Sequence, residues 1–231
     1  SRLYAAASLQ GMMFRERWTR IQRERGALAA LHAPGLTLTF AELDSQARAL
    51  RPDGDVFVTR GDTPDILRAT LAGLLQGVPV QWVEKDRSRR VPAMPPPAGT
   101  AFIKQTVGGS GVRRCQFFTF QQIAADVDRL HAFFDLENRG VAVAAISCAH
   151  SYGLTMTVLQ TLLHGVPLCW APQPFAQPLM EALRPHARAF LPGVPAMWKA
   201  WLMGQVSFEN VSLAISAGSP LTPELATMAR E

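Results

Sequence analysis

Residues 103–120 read IKQTVGGSGVRRCQFFTF and hold the densest set of chemistry-bearing groups in the chain. Gly108, Gly109 and Gly111 stand among the hydroxyls of Thr106 and Ser110, and Arg113 and Arg114 follow directly. Glycine lets a backbone turn its N–H groups inward and approach a phosphate closely. Hydroxyls add donors, and guanidinium adds charge in a planar fork. A cradle for a triphosphate or pyrophosphate needs this combination. The spacing is not that of the strand–GxxxxGK[ST]–helix loop. By composition alone the same residues also fit an exposed, flexible turn. His150, in the run Ala149-His150-Ser151-Tyr152-Gly153-Leu154, is a second candidate. An imidazole there can serve a reacting group or make a buried structural hydrogen bond. Cys115, Cys148 and Cys169 are odd in number and lack zinc spacing, so neither a disulfide framework nor a metal centre is expected.

Such groups need a rigid frame, and the sequence outlines one. Phe14, Trp18 and Ile21 recur at helical spacing within residues 11–31, and Pro34-Gly35 ends that segment. Thr39-Phe-Ala-Glu42 and Thr119-Phe-Gln-Gln122 are capping boxes, each opening a helix. Strands are expected at 36–38, 55–59, 78–83, 101–103, 141–146, 166–170, 188–191 and 211–216. Helices are expected at 64–76, 153–163 and 194–203, with a last one opened by Thr222-Pro223-Glu224. Residues 70–82 (TLAGLLQGVPVQW) and 158–170 (VLQTLLHGVPLCW) agree at seven of thirteen positions. Each reads as a helix closed by a glycine and followed at once by a strand. The fold class expected is α/β, with two related halves whose mostly parallel sheets are flanked by helices. Residues 1–99 would form the first subdomain, ending in a basic, proline-rich linker at 84–99. Residues 100–231 would form the second.

The chain has 231 residues, 48% hydrophobic and 18% charged, which excludes general disorder. Residues 140–180 contain no Asp, Glu, Lys or Arg. Gly153, Gly165 and Pro167 divide that run into buried strand, helix and strand, and no membrane span is expected. The apolar run at 3–9 is short and arginines follow it, so it is no secretory signal; free thiols point to the cytoplasm. The net charge of +5 favours anionic partners. Arg15, Arg17, Arg20, Arg23 and Arg25 would suit a nucleic-acid-binding module. Interleaved Glu16 and Glu24 argue for a solvated helix with i,i+4 pairs instead.

The run Thr106-Val107-Gly108-Gly109-Ser110-Gly111-Val112-Arg113-Arg114-Cys115 resembles the phosphate-binding motif of the adenylate-forming superfamily. That superfamily comprises acyl-CoA synthetases, aryl-CoA ligases and nonribosomal adenylation domains. Its pattern is Thr-Ser-Gly-Ser/Thr-Thr-Gly-x-Pro-Lys-Gly. Two further motifs match in order. Residues 149–154 look like Phe-His-x-Tyr-Gly-Leu, and Ser216-Ala217-Gly218-Ser219-Pro220-Leu221 looks like Ser-Gly-Gly-Ala-Pro-Leu. Val194-Pro195 and Leu38-Thr39-Phe40-Ala41-Glu42-Leu43 match lesser signals. The resemblance implies the N-terminal lobe of the adenylate-forming fold. It also implies conversion of a carboxylic acid and MgATP to an acyl-adenylate, then transfer to CoA or a carrier-protein thiol. Thr106, Gly108, Gly109, Ser110, Gly111 and Arg114 would hold the β- and γ-phosphates. His150 would lie near the reacting carboxylate, and Ala217, Gly218, Ser219 and Pro220 would line the adenine and acyl pocket. Val107, Arg113, Arg114 and Cys115 depart from the pattern, which leaves room for a non-catalytic relative acting as a binding or scaffold protein. The family's Tyr-Gly-x-Thr-Glu motif has no counterpart, since the tyrosines are Tyr4 and Tyr152. Its Glu, which helps hold Mg²⁺, and the C-terminal lobe with its catalytic Lys are expected beyond residue 231. The chain would then be an N-terminal fragment, inactive alone.

Overall fold

The computed structural model describes residues 2–84, 95–107, 113–171 and 173–229. The first helix, α1 (Arg2–Arg25), buries Phe14, Trp18 and Ile21 along one stripe. It stops at Gly26, sooner than the spacing suggests, and the next residues form a strand, β1 (Ala29–Ala33). Ala30 and Leu31 are drawn into the core there. After β2 (Leu36–Thr39) comes α2 (Phe40–Ala49), closed by its capping box: Glu42 N–H donates to Thr39 Oγ1, and Thr39 N–H donates to Glu42 Oε2. β3 (Phe57–Arg60), α3 (Asp65–Gln76) and β4 (Val80–Val83) follow. The stretch read as a short strand and a loop is longer and paired. β5 (Thr100–Val107) and β6 (Arg113–Thr119) form an antiparallel hairpin that leads through a second capping box into α4 (Phe120–Phe134). The remainder is β7 (Val141–Ala144), α5 (Ser151–Met156), α6 (Val158–His164), β8 (Leu168–Trp170), α7 (Ala176–Leu183), β9 (Ala189–Gly193), α8 (Pro195–Met203), β10 (Val211–Ser216) and α9 (Pro223–Met228).

The strands form a six-stranded sheet, β10-β9-β7-β8-β1-β2, and a four-stranded sheet, β3-β4-β5-β6. Every pairing is parallel except β1–β2 and β5–β6. The sheets do not divide at residue 99, where the sequence suggested a boundary. β4 pairs with β5 across residues 84–99, while β1 and β2 join the later strands. The physical reason is a shared core. α3 packs on the four-stranded sheet, α6 on β7, and α3 and α6 on each other. One hydrophobic cluster runs through both sheets, from Phe57 and Phe102 to Leu31 and Phe190. A smaller cluster on the far face of the six-stranded sheet holds Leu179, Leu183, Trp198 and Trp201.

The two similar segments, 70–82 and 158–170, take similar local structures. α3 ends on Gly77 (φ 69°) and α6 on Gly165 (φ 71°), both left-handed, and a strand follows each. The uncharged run 140–180 folds as buried strand–helix–strand, with its helix broken at Thr157. No described helix is long and apolar enough to cross a membrane.

Candidate active site

The candidate residues follow the carboxyl ends of strands. Glu84 follows β4, the glycine-rich run of the sequence follows β5, His150 comes six residues after β7, and Ala217 follows β10. In an open α/β sheet, that edge is where ligands bind.

His150 precedes α5, and a close approach fixes its turn. Gly61, just after β3, donates its N–H to Val83 O (3.0 Å), and its carbonyl accepts from Cys148 N–H (3.0 Å). A Cβ on Gly61 would lie 2.0 Å from Ala149 N, so only glycine lets β3 and the turn before His150 meet at this point. The imidazole of His150 is exposed, with Nε2 3.6 Å from Glu84 Oε1. Beside it, the Lys104 ammonium donates to Ser151 Oγ. Burial lowers the pKa of Lys104, and the nearby Glu84 charge works in the opposite direction. Trp82, Phe118, Gln122, Leu154, Lys104 and Ser151 contribute to the lining of a cleft of about 300 Å³.

The next residue of α5 reaches the third motif. Tyr152 Oη donates to Ile215 O (3.1 Å), and Trp198 Nε1 donates to the same carbonyl (3.3 Å). Burial pushes the Tyr152 phenol up to about 12, so it stays a neutral donor. Ala217 N–H donates to Gly193 O (3.2 Å), and Gly218 takes φ 95°. Gly218, Ser219 and Pro220 are exposed, whereas Ser216 Oγ is buried without a hydrogen-bond partner among the described residues. The start of α5 therefore touches both neighbours, the β5–β6 hairpin through Ser151 and β10 through Tyr152.

Thr106 faces Arg114 across the hairpin ladder, two residues beyond the Lys104–Gln116 pair, and the Arg114 side chain is exposed. Gly108, Gly109, Ser110 and Gly111 lie outside the described residues. Glu84 and Lys104 were not singled out from the sequence. Glu84 sits at the head of the basic, proline-rich stretch and carries no signal of its own. Lys104 is a lone cation closing the apolar run 101–103, and that is a usable signal. The basic face of α1 is largely tied down: Arg15 donates to Leu75 O, Arg17 forks onto Asp128, and Arg25 reaches Glu137.

A family model for AMP-binding enzymes matches residues 57–231. The chain belongs to the AMP-binding enzyme family. Its fold is similar to o-succinylbenzoate CoA synthetase from Bacillus subtilis in complex with AMP, at TM-score 0.77 and 14% identity, covering 93% of this chain and 56% of that one. It is similar to ATP-bound MatB from Rhodopseudomonas palustris, at TM-score 0.73 and 14% identity, covering 92% and 56%. It also resembles the N-terminal domain of FACL13 from Mycobacterium tuberculosis, at TM-score 0.74 and 14% identity, covering 95% and 72%. No curated protein sequence matches. The chain thus spans little more than half the length of the first two of these chains, and the fold is that of an AMP-binding N-terminal domain.

The described residues suit a nucleotide in part. Donors and cations (Lys104, Arg114, His150) gather at the carboxyl edge, and among the described residues the buried Ser216 hydroxyl has no partner beside the exposed Gly218 turn. Among the described residues, no group of three His, Cys, Asp or Glu side chains could hold a metal ion.

Proposed function

We propose that this chain is the nucleotide- and acid-binding portion of an ATP-dependent acyl- or aryl-activating ligase. Such an enzyme joins a carboxylic acid to ATP, giving an acyl-adenylate and pyrophosphate, then passes the acyl group to the thiol of CoA or of a carrier protein. The observation that carries this reading is the convergence of the motifs on α5, where Ser151 meets the hairpin and Tyr152 meets β10. Each residue then has a task. Arg114 and the loop from Thr106 to Gly111 hold the outer phosphates and stabilise the departing pyrophosphate. His150 donates to the carboxylate oxygen as charge moves toward the α-phosphate, while Glu84 limits its swing. The turn from Ala217 to Pro220 receives the adenine and the acyl group. Fixed donors aimed at developing charge, and reactants held in line, are the main sources of rate for such a transfer.

The test is carboxylate-dependent ATP–pyrophosphate exchange by the whole protein with a panel of alkyl and aryl acids. Exchange that needs the acid is expected, with His150→Ala and Arg114→Ala each lowering it about 10²-fold, the usual cost of one such donor. Exchange indifferent to both substitutions would strip His150 and Arg114 of these roles. A second reading, a non-catalytic relative that binds or scaffolds, is favoured by Val107, Arg113, Arg114 and Cys115 in the phosphate motif. Nucleotide binding with no exchange for any acid, before or after Arg114→Lys, would select it.

A further inference from the structure

Lys104 is a cation where the strand pattern calls for an apolar side chain. β5 runs between β4 and β6, and Lys104 shares the strand face of Phe102, which is buried against Trp82. It pairs in register with Trp82 on β4. Its ammonium donates to Ser151 Oγ, a neutral hydroxyl, so two of its three N–H groups have no hydrogen-bond partner among the described residues. Glu84, the nearby carboxylate, lies 3.6 Å from His150 Nε2. Lys104 is only partly buried, and it lines the cleft of about 300 Å³ whose lining also includes Ala149 and Ser151, on either side of His150. The floor of that cleft is closed among the described residues. Trp82, Leu154 and Thr155 are buried there, and Trp82 is pinned by its bond from Nε1 to Thr70 Oγ1 (3.1 Å) and by stacking on Phe102.

We propose that Lys104 anchors the carboxylate of the acid substrate, and that the cleft selects a compact aromatic monocarboxylic acid. This rests on the acid-activating reading above and narrows its substrate. Charge sets the first limit. An accessible ammonium beside apolar walls recognises an anion with an apolar body, and its bond to a carboxylate is about twice as strong as a neutral one. The acyl carbon then stays between His150 and the 217–220 turn, and the ring fills the cleft. Size sets the second limit. A dry cavity of ~150 Å³ holds benzene, so about twice that volume takes two fused rings, while the pinned floor leaves no path for a long alkyl chain. Trp82 and Phe118 supply aromatic walls. Asp126, exposed at the rim, repels a second anionic group.

The experiment is a titration of the protein with 2-naphthoate and with its neutral amide, 2-naphthamide, by calorimetry and through the indole N–H resonance of Trp82. Saturable binding of 2-naphthoate that moves this resonance is expected, with the amide bound about tenfold more weakly, the equivalent of one charge-assisted hydrogen bond. Lys104→Met should bring the acid down to the level of the amide without changing the amide's affinity, and Lys104→Arg should keep the preference for the acid. Decanoate should bind more weakly than 2-naphthoate. Absence of saturation, an unmoved Trp82 resonance, equal affinity for acid and amide, an acid preference that survives Lys104→Met, or decanoate bound as tightly as 2-naphthoate would each overturn the proposal. The activation reading fails separately. Binding through Lys104 with no acid-dependent exchange would refute that reading and uphold the anchor. Acid-dependent exchange with an unchanged KM for the acid in Lys104→Met would refute the anchor alone.

Discussion

His164 shows how much a single side chain can be altered by where it lands. As the last residue of α6 it is placed to favour the helix dipole, which is all that sequence position suggests. In the fold its ring stacks on His131, with centres 3.7 Å apart and planes within 6°, and its Nε2 lies 2.9 Å from Asp128, which Arg17 grips from α1. Burial and the neighbouring His131 lower its pKa from 6.5 to about 4. The unfolded chain therefore takes up this proton first as the pH falls. The contribution of His164 to stability is complete above pH 6.5 and is lost progressively between 6.5 and about 4. Urea melts across that window should show a falling midpoint, and His164→Gln should flatten the fall; an unchanged slope would contradict the burial. At Gly61 the steric limit is sharper. Gly61→Ala would press a methyl into the backbone of Ala149, and overpacking of this kind costs about 1–3 kcal/mol. It should also displace the turn bearing His150, so nucleotide affinity should fall together with the melting temperature. Affinity preserved in a folded Gly61→Ala protein would detach that turn from the site.

At the scale of elements, what sequence made legible was whatever short-range chemistry decides. Both capping boxes, the glycine ends of α3 and α6, and Thr222 as the cap of α9 depend on residues within a few positions of one another. What it missed depends on distant partners. β1 pairs with its neighbour β2, but its place in the six-stranded sheet depends on Leu31 and His32 pairing with β8, well over a hundred residues away in the chain. Residues 153–163 read as one helix, yet the backbone breaks at Thr157 (φ −128°, ψ −84°). There the hydroxyl donates to Gly153 O (2.6 Å) and meets the buried Cys148 sulfur at 3.4 Å. Thr157→Val keeps the shape and removes the hydroxyl. It should cost about 1 kcal/mol, a typical hydrogen bond, readable in the urea midpoint. No loss would mean that packing alone makes the break. Thr119→Ala, which strips the cap from α4 directly after the hairpin, should cost a similar ~1 kcal/mol. The site followed the same division. The order of the three motifs could be read from the chain, but Glu84 and Lys104 could not be placed beside His150 without the pairing of β4 with β5 and the close approach at Gly61.

Across the whole molecule, two sheets share one core and present their carboxyl edges together, so segments far apart in sequence meet at α5. The chain's membership of the AMP-binding enzyme family agrees with this arrangement. Everything proposed for the adenylation chemistry depends on the segments 103–120, 149–154 and 216–221 building one nucleotide site. Photolabelling of the protein with 8-azido-ATP, followed by peptide mapping, puts that to the test. A saturable adduct is expected within the peptide that carries Ala217 to Pro220, prevented by unlabelled ATP and weakened by Arg114→Ala. Saturable labelling confined to the arginine-bearing face of α1, or no ATP-protected adduct at all, would contradict a shared site.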